Sequence, residues 1–253
     1  MKLHFREVGE GKPFVILHGL FGNSDNWQTH GKRLSEYYRV IMVDLRNHGH
    51  SPWSDDFSYD LIVEDLKELF DSLSLQNVIL LGHSMGGKAA MRFAQTYPSF
   101  LEKLIIADMG VKSYKPHHQN ILEAINTLDL SAITTRSEAD KHMEQYVPGY
   151  GERQFLLKNI YWIEKGKTAW RMNHKVLERE MEEILSEIPE EECFVETLFV
   201  TGANSRYVLD EDHSQIENIF PDSEFVQIEN AGHWLHADQP DLFLDAVLGF
   251  CLR

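Results

Sequence analysis

The sequence predicts an α/β protein built on a doubly wound, mostly parallel sheet, with a helical segment inserted into it. Three observations lead to this prediction. Short apolar runs alternate with helical patterns, a serine flanked by glycines stands where one such run becomes a helix, and residues 112–192 contain no convincing strand. At 253 residues the chain is long enough for one large domain with a sizeable core.

The predicted strands are runs of consecutive apolar residues, as parallel strands covered on both faces require. After an N-terminal strand they occupy residues 14–17, 40–43, 78–81, 104–107, 198–200 and 225–228. Between the second and third of these runs, five apolar residues fall on one helical face: Ile62, Leu66, Leu69, Phe70 and Leu73. A helix following Ser84 ends near Pro98, and "PDLFLDAVLGFCL" forms the last helix.

Residues 112–192 are predicted to form a helical cap inserted into a core made of residues 1–111 and 193–253. Amphipathic patterns such as "ILEAINTL" and "VLEREMEEILSEI" indicate its helices. The insertion follows the strand that ends at Ala107, so we expect it to cover the carboxyl edge of the sheet, where open α/β sheets bind their ligands.

Composition excludes several classes of function. The formal net charge of −16 opposes a nucleic-acid partner. The two cysteines, Cys193 and Cys251, have no metal-ligand spacing, which favours a reduced, cytoplasmic setting. The N-terminus does not read as a signal peptide, and no apolar run is long enough to span a membrane. We therefore expect no cofactor, no metal and no stable membrane insertion.

The stretch "LLGHSMGG" carries the pattern G-x-S-x-G at residues 82–86. Glycines on both sides of Ser84 allow a strand to turn abruptly into a helix, which projects the serine hydroxyl from a strained backbone. The pattern follows an apolar strand and opens an Ala-rich helix, the context that a nucleophilic serine requires. The alternative is a purely structural strand–helix turn.

Two backbone amides are predicted to stabilise an oxyanion beside Ser84. One belongs to Met85, at the start of the helix. The other follows the first apolar run in "ILHGLFGN" and belongs to Leu20, with Phe21 as the alternative. An ordinary glycine turn would also account for this second segment.

A serine nucleophile needs a general base, and His233 in "IENAGHWLHADQP" lies between the last strand and the last helix. His236 is its competitor, with local packing as the expected role. His117 and His118 are expected to lie in a solvated turn, because no further metal ligands accompany them.

These residues together resemble the α/β-hydrolase superfamily over nearly the whole chain, and within it the YbfF-type bacterial esterases and abhydrolase-domain relatives. The resemblance is carried by "HGLFGNSDNW", "DLRNHGHSP", "GHSMGGKAAM", "QFLLKN", "WRMN" and "AGHWLHADQPD". It implies the α/β-hydrolase fold, a helical cap and a serine hydrolase acting on carboxylic esters or thioesters. The serine at position 84 distinguishes the chain from epoxide hydrolases and haloalkane dehalogenases, which resemble it but use aspartate there.

The acid of the predicted triad is displaced from its usual place. α/β-Hydrolases commonly carry it in G-x-x-D after the penultimate strand, whereas here Gly202 leads to Ser205. Asp210 and Asp212 lie nearby, at what looks like a helix start. Asp108 ends the strand that follows the nucleophile strand, and neighbouring parallel strands share one carboxyl edge. The resemblance implies the same relocated acid. Asp108 is therefore the predicted acid, with Asp210 or no acid as alternatives.

The cap is expected to select the substrate, a small-molecule acyl ester of short to medium chain length. The pocket candidates are Phe21, Phe155, Tyr161, Trp162 and Trp234. Residues 152–175 carry six basic and two acidic side chains, which suggests either a solvated face or a site for the anionic part of an acyl-CoA thioester. A ligand-binding protein with little turnover is a third interpretation. The basic residues are Arg153, Lys158, Lys165, Lys167, Arg171 and Lys175.

Overall fold

The computed structural model describes residues 1–164 and 167–253. Within these residues seven strands form one sheet. Numbered in chain order, they are β1 (Phe5–Val8), β2 (Pro13–Leu17), β3 (Arg39–Val43), β4 (Val78–His83), β5 (Leu101–Ala107), β8 (Thr197–Gly202) and β9 (Ser223–Ile228). Their order in the sheet is β1-β3-β2-β4-β5-β8-β9, and all neighbouring strands are parallel except β1, which runs antiparallel to β3. All six predicted apolar runs lie in these strands, so the predicted sheet is confirmed.

Helices cover both faces of the sheet, as the alternation of strand and helix patterns predicts. Alternate residues of each strand enter two separate cores. In β2, Val15 packs with helices α2 (Tyr59–Ser72) and α3 (Met85–Thr96), and Phe14 packs with α1 (Gln28–Leu34) and α11 (Pro240–Cys251). The shorter helices α9 (His213–Ile219) and α10 (Leu235–Asp238) flank β9. No helix in the described part of the chain combines the length and apolar character needed to cross a membrane.

The insertion lies between the neighbouring strands β5 and β8 and contains two antiparallel strands that the sequence did not suggest. β6 (Ile160–Glu164) pairs antiparallel with β7 (Lys167–Trp170). The expectation of a wholly helical segment was therefore wrong, because we interpreted the aromatic and β-branched residues of β6 as pocket lining. The boundaries at 111/112 and 192/193 stay a prediction. The helices of the insertion are α4 (Gln119–Thr127), α5 (Arg136–Met143), α6 (Tyr150–Leu157), α7 (His174–Arg179) and α8 (Met181–Ile184).

A buried lysine ties the helix after Ser84 to both ends of the insertion. Lys88 of α3 is fully buried, and its Nζ donates hydrogen bonds to the carbonyl of Lys112, 2.8 Å away, and to that of Ser186. Lys112 follows β5 and Ser186 follows α8, so one ammonium group joins the start and the end of the inserted segment to the core. Burial lowers the pKa of Lys88 to about 7, against a weaker opposing attraction from Glu187.

We expect the contribution of Lys88 to stability to increase with pH. A lysine whose pKa is about 7 in the folded protein and 10.5 when unfolded binds fewer protons in the folded state between these values, so raising the pH favours folding there. Lys88→Met, which leaves two carbonyls without their donor, should lower the free energy of unfolding by about 1–3 kcal/mol at pH 9 and by less at pH 6.5. Urea denaturation at both pH values measures this difference; an equal loss at the two would contradict it.

Candidate active site

Ser84 stands at the sharp turn between β4 and α3. Its φ of 55° and ψ of −122° lie in a region that non-glycine residues rarely adopt. The turn requires glycine at position 82, because a Cβ there would lie 2.2 Å from the Gly86 carbonyl oxygen. The G-x-S-x-G segment thus has the strand–turn–helix context that the sequence predicted for a nucleophile.

Three of the predicted site residues form one chain of hydrogen bonds. Ser84 Oγ lies 3.0 Å from His233 Nε2, and His233 Nδ1 lies 2.7 Å from Asp108 Oδ2. A carboxylate only accepts hydrogen bonds, so the imidazole proton sits on Nδ1 and Nε2 is left to accept the serine proton. The arrangement contains a nucleophile, a base within reach of its proton and an acid that orients the base.

Asp108 reaches His233 from the end of β5, at a left-handed φ of 49°. Its side chain is completely buried and accepts two further hydrogen bonds, one from the Gly202 amide at 3.1 Å and one from Ser205 Oγ at 2.5 Å. Ser205, the serine that follows Gly202 after β8, therefore donates to the Asp108 carboxylate. Three donors compensate the burial of a negative charge that has no cationic side chain in contact with it among the described residues.

The two other acids considered for this position lie elsewhere. Asp210 is exposed in a short 3₁₀ turn, and its neighbour Asp212 accepts hydrogen bonds from the Leu209 amide and from Lys112 Nζ. The competing histidine His236 is buried and stacked on Trp27, with ring centroids 4.3 Å apart. Burial keeps the pKa of His236 well below its usual value, in agreement with the expected packing role.

The amides predicted to hold an oxyanion differ in availability. The Phe21 amide donates to His48 Nε2 at 3.2 Å, whereas the Leu20 and Met85 amides make no hydrogen bond to any other residue within 1–164 and 167–253. Burial lowers the pKa of His48 to about 3, so its ring is neutral: Nδ1 donates to the Arg46 carbonyl and Nε2 accepts. His48 thereby leaves Leu20, rather than Phe21, as the second available donor.

His83, the residue directly before Ser84 in the chain, holds the loop that carries His233. Its Nε2 donates to the His233 carbonyl oxygen, 2.8 Å away. Burial, together with repulsion from His233, lowers the pKa of His83 to about 3, so the ring stays neutral near pH 7. Nothing in the sequence identified this contact, because it joins positions 150 residues apart.

A cavity of about 230 Å³ opens beside Ser84 and His233. We call it the Ser84 cavity. Three predicted pocket residues, Phe21, Phe155 and Trp234, line it. Its remaining lining comes from both the core and the insertion: Gly19, Leu20, His83, His117, His118, Ile121, Glu152, Leu156 and Tyr207.

The other two pocket candidates do not line this cavity, and we correct that expectation. Tyr161 and Trp162 belong to β6. Tyr161 faces a separate cavity beneath the Arg171 guanidinium, which lies 4.9 Å from its ring centroid, and Trp162 faces Arg136. A strand turns successive side chains to opposite faces, so the aromatic run in β6 cannot line one pocket.

Three of the basic residues of 152–175, Arg153, Lys167 and Arg171, have separate partners. Arg153 is buried and bonded to Asp140, with Nε 2.8 Å from Oδ1, and it donates to the carbonyls of Val147 and Pro148. Arg171 contacts His50 on the core. Lys167 lies 3.8 Å from Glu164, and Lys165 lies outside the described residues. These three positive charges therefore do not form one binding site for an anionic leaving group.

Four residues at the site were missed or misassigned from the sequence. Tyr207 stacks on the His233 ring, with centroids 3.8 Å apart and planes 12° apart, and its hydroxyl donates to His117 Nε2 at 2.5 Å. His117 is exposed, as expected, but it and the partly buried His118 also line the Ser84 cavity, and Glu152 joins them. The only hint in the sequence was the position of Tyr207, two residues after the serine that replaces the usual acid.

Comparisons with known proteins agree with this architecture. A family model described as alpha/beta hydrolase fold matches residues 12–128. The chain is 37% identical to the sn-1-specific diacylglycerol lipase ABHD11 of Mus musculus, covering 93% of this chain and 80% of that protein. It is 34% identical to esterase YbfF of Escherichia coli K12 over 98% of each. A solved structure, a marine microorganism esterase, superposes with a TM-score of 0.95 at 41% identity, over 98% of this chain and 99% of that one.

Proposed function

This chain belongs to the α/β-hydrolase family, and we propose that it hydrolyses carboxylic esters through a Ser84–Asp108–His233 triad and an acyl-enzyme intermediate. It is a carboxylic ester hydrolase like its relatives; the mechanism and the preference for short to medium acyl chains are our proposal. One observation carries it: the continuous hydrogen-bonded path from Ser84 Oγ through His233 to Asp108, with distances of 3.0 and 2.7 Å.

In the first step, Ser84 Oγ attacks the ester carbonyl while its proton passes to His233 Nε2. The carbonyl oxygen becomes negative and is stabilised by the amides of Leu20 and Met85, which have no other acceptor in the described chain. Asp108 stabilises the positive imidazolium and holds Nδ1 protonated. His233 then gives the proton to the alcohol oxygen as the carbon–oxygen bond breaks, which leaves the acyl group on Ser84.

In the second step, a water molecule occupies the place that the alcohol has left. His233 takes a proton from this water, the hydroxide attacks the acyl carbonyl, and the same two amides stabilise the second oxyanion. His233 returns the proton to Ser84 Oγ as the acid leaves. The Ser84 cavity, at about 230 Å³, is smaller than typical pockets for drug-sized ligands, which supports acyl groups of short to medium length.

Hydrolysis of p-nitrophenyl esters of rising chain length tests the proposal. We expect kcat/KM to be greatest for short to medium acyl groups and to decline for long ones, with Ser84→Ala losing about 10⁶-fold in kcat. A fluorophosphonate should label the wild-type protein and not Ser84→Ala. Equal activity of the two proteins would refute the proposed nucleophile. Absence of both labelling and turnover in the wild type would instead favour a ligand-binding protein.

The second candidate function, hydrolysis of acyl-CoA thioesters, uses the same triad. Rates for butyryl-CoA and p-nitrophenyl butyrate compare the two leaving groups on one acyl chain. Because Arg153, Lys167 and Arg171 have separate partners, we expect no salt-sensitive preference for the thioester.

A further inference from the structure

Another cavity, of about 480 Å³ and distinct from the one beside Tyr161, adjoins the Ser84 cavity. We call it the second cavity. Glu152, Phe155 and Trp234 line both, and we call these three residues the junction. The Phe155 and Trp234 rings meet edge to face, with centroids 4.1 Å apart. The second cavity lies between the insertion and the core. The rest of its lining comes from Asn26, Thr29, His30, Gly151, Gln154, Lys158, His236, Ala237, Asp238 and Pro240.

The direction of proton transfer identifies which part of an ester faces this cavity. In the proposed function, on which this inference rests, His233 protonates the departing alcohol oxygen. The alcohol must therefore lie on the His233 side of the scissile bond. Trp234 follows His233 directly, and residues 236–238 continue along the wall of the second cavity. An alcohol too large for the space beside His233 extends towards the junction.

We propose that the second cavity binds the alcohol part of the ester, that it suits a neutral alcohol bearing further hydroxyl groups, and that Glu152 excludes anionic alcohols. Thr29 supplies a hydroxyl group. Asn26 Oδ1 accepts from the Asn23 amide and Gln154 Nε2 donates to Asp140, so the Asn26 NH₂ group and the Gln154 carbonyl oxygen are the amide groups that suit a hydroxyl ligand. Trp234 and Phe155 supply apolar surface for the carbon skeleton. This mixture of aromatic surface with a few polar groups is typical of small-molecule sites.

Charge at the junction is negative because of Glu152. The other charged residues lining the second cavity, Lys158 and Asp238, have opposite signs. Glu152 is partly buried in the Ser84 cavity, and burial raises the pKa of its carboxyl group, with a smaller opposing effect from His233. A phosphate on the alcohol would bring a second negative charge to this partly desolvated carboxylate, which costs more than the same contact in water.

Three esters of one acid test the assignment: ethyl butyrate, glyceryl monobutyrate and the butyryl ester of glycerol 3-phosphate. They share the acyl group and an unactivated primary alcohol, so differences in kcat/KM report on the alcohol site. We expect wild-type kcat/KM for the glyceryl ester to exceed that for the ethyl ester by about fivefold or more, the effect of one or two hydrogen bonds. The phosphorylated ester should react at least about tenfold more slowly than the glyceryl ester.

Two pairs of variants separate the contributions of space and charge. Gly151 lines the second cavity and a Cβ there meets no atom within 4 Å, so Gly151→Phe adds a ring at the rim of this cavity without a backbone clash, while Gly151→Ala controls for the change in helix propensity. Gly151→Phe should reduce the glyceryl-to-ethyl ratio to about one, and Gly151→Ala should keep it. Glu152→Gln should raise the phosphorylated-to-glyceryl ratio about fivefold, whereas Glu123→Gln, on the exposed side of α4, should not.

The outcomes distinguish this inference from the proposed function. If the wild type cleaves none of the three esters and Ser84 is not labelled by a fluorophosphonate, the proposed function fails. If the esters are cleaved in a Ser84-dependent reaction but Gly151→Phe leaves the glyceryl-to-ethyl ratio unchanged, the alcohol site is wrong. If that ratio falls but Glu152→Gln leaves the phosphorylated-to-glyceryl ratio unchanged, the charge assignment is wrong.

Discussion

Asp108→Asn should lower kcat for p-nitrophenyl butyrate by about 10³- to 10⁴-fold, the loss expected when the acid of a serine triad becomes an amide. The amide cannot stabilise the imidazolium, and its NH₂ group, if it faces His233, favours the tautomer that carries its proton on Nε2. That tautomer cannot accept the serine proton. Asp108 has a φ of 49°, a conformation that asparagine adopts as readily as aspartate, so the backbone is not strained by the change.

Controls for Asp108→Asn come from the other acids near β8. Asp210→Asn should keep near-normal kcat, because Asp210 is exposed and makes no contact with His233 among the described residues. The thermal midpoint of each variant, measured by circular dichroism, shows whether a loss of rate reflects unfolding. Near-normal turnover of folded Asp108→Asn, combined with loss in Asp210→Asn, would move the acid to the position after β8 and overturn the proposed triad.

The fold could be predicted because its determinants are local in sequence. Buried parallel strands appear as uninterrupted apolar runs, and the turn at Ser84 needs small residues on both sides. The displaced acid followed from topology. β4 and β5 are neighbours, so Ser84 and Asp108 end at the same edge of the sheet, and a serine in the usual acid position left Asp108 as the main candidate.

The lining of the site could not be predicted in the same way, because it depends on how the insertion packs on the core. Tyr161 and Trp162 are aromatic residues of the insertion, like Phe155, but only Phe155 faces Ser84. His117 and Glu152 are polar residues in segments without strong periodicity, and their places beside His233 result from contacts across long chain separations. Pairing between Ser205 and Asp108 likewise joins positions 97 residues apart.

Gly86→Ala should strongly destabilise the protein. A Cβ at Gly86 would lie 2.5 Å from the carbonyl oxygens of both Leu17 and His18, and neither backbone group can move without shifting β2 against α3. We expect the free energy of unfolding to fall by about 3 kcal/mol or more. For a chain of this length this corresponds to about 10 °C in the thermal midpoint.

Gly249→Ala is the matched control, because a Cβ at this exposed position of α11 meets no atom within 4 Å. Alanine there should raise stability by about 0.5–1 kcal/mol, the ordinary gain from replacing a helical glycine. Similar thermal midpoints for Gly86→Ala and wild type would show that α3 and β2 separate readily, which contradicts the close contact at this turn.

The same contact sets the spacing of the two proposed oxyanion donors. Gly86 packs against the end of β2, which leads into the loop with Leu20, while Met85 lies on the α3 side of the contact. Moving β2 and α3 apart by several tenths of an ångström shifts the Leu20 and Met85 amides relative to the carbonyl oxygen that they would hold. Folded Gly86→Ala, assayed well below its thermal midpoint, should therefore lose about 10²-fold in kcat for p-nitrophenyl butyrate, whereas Gly249→Ala should not. A normal kcat in folded Gly86→Ala would exclude Leu20 and Met85 as a rigid pair of donors.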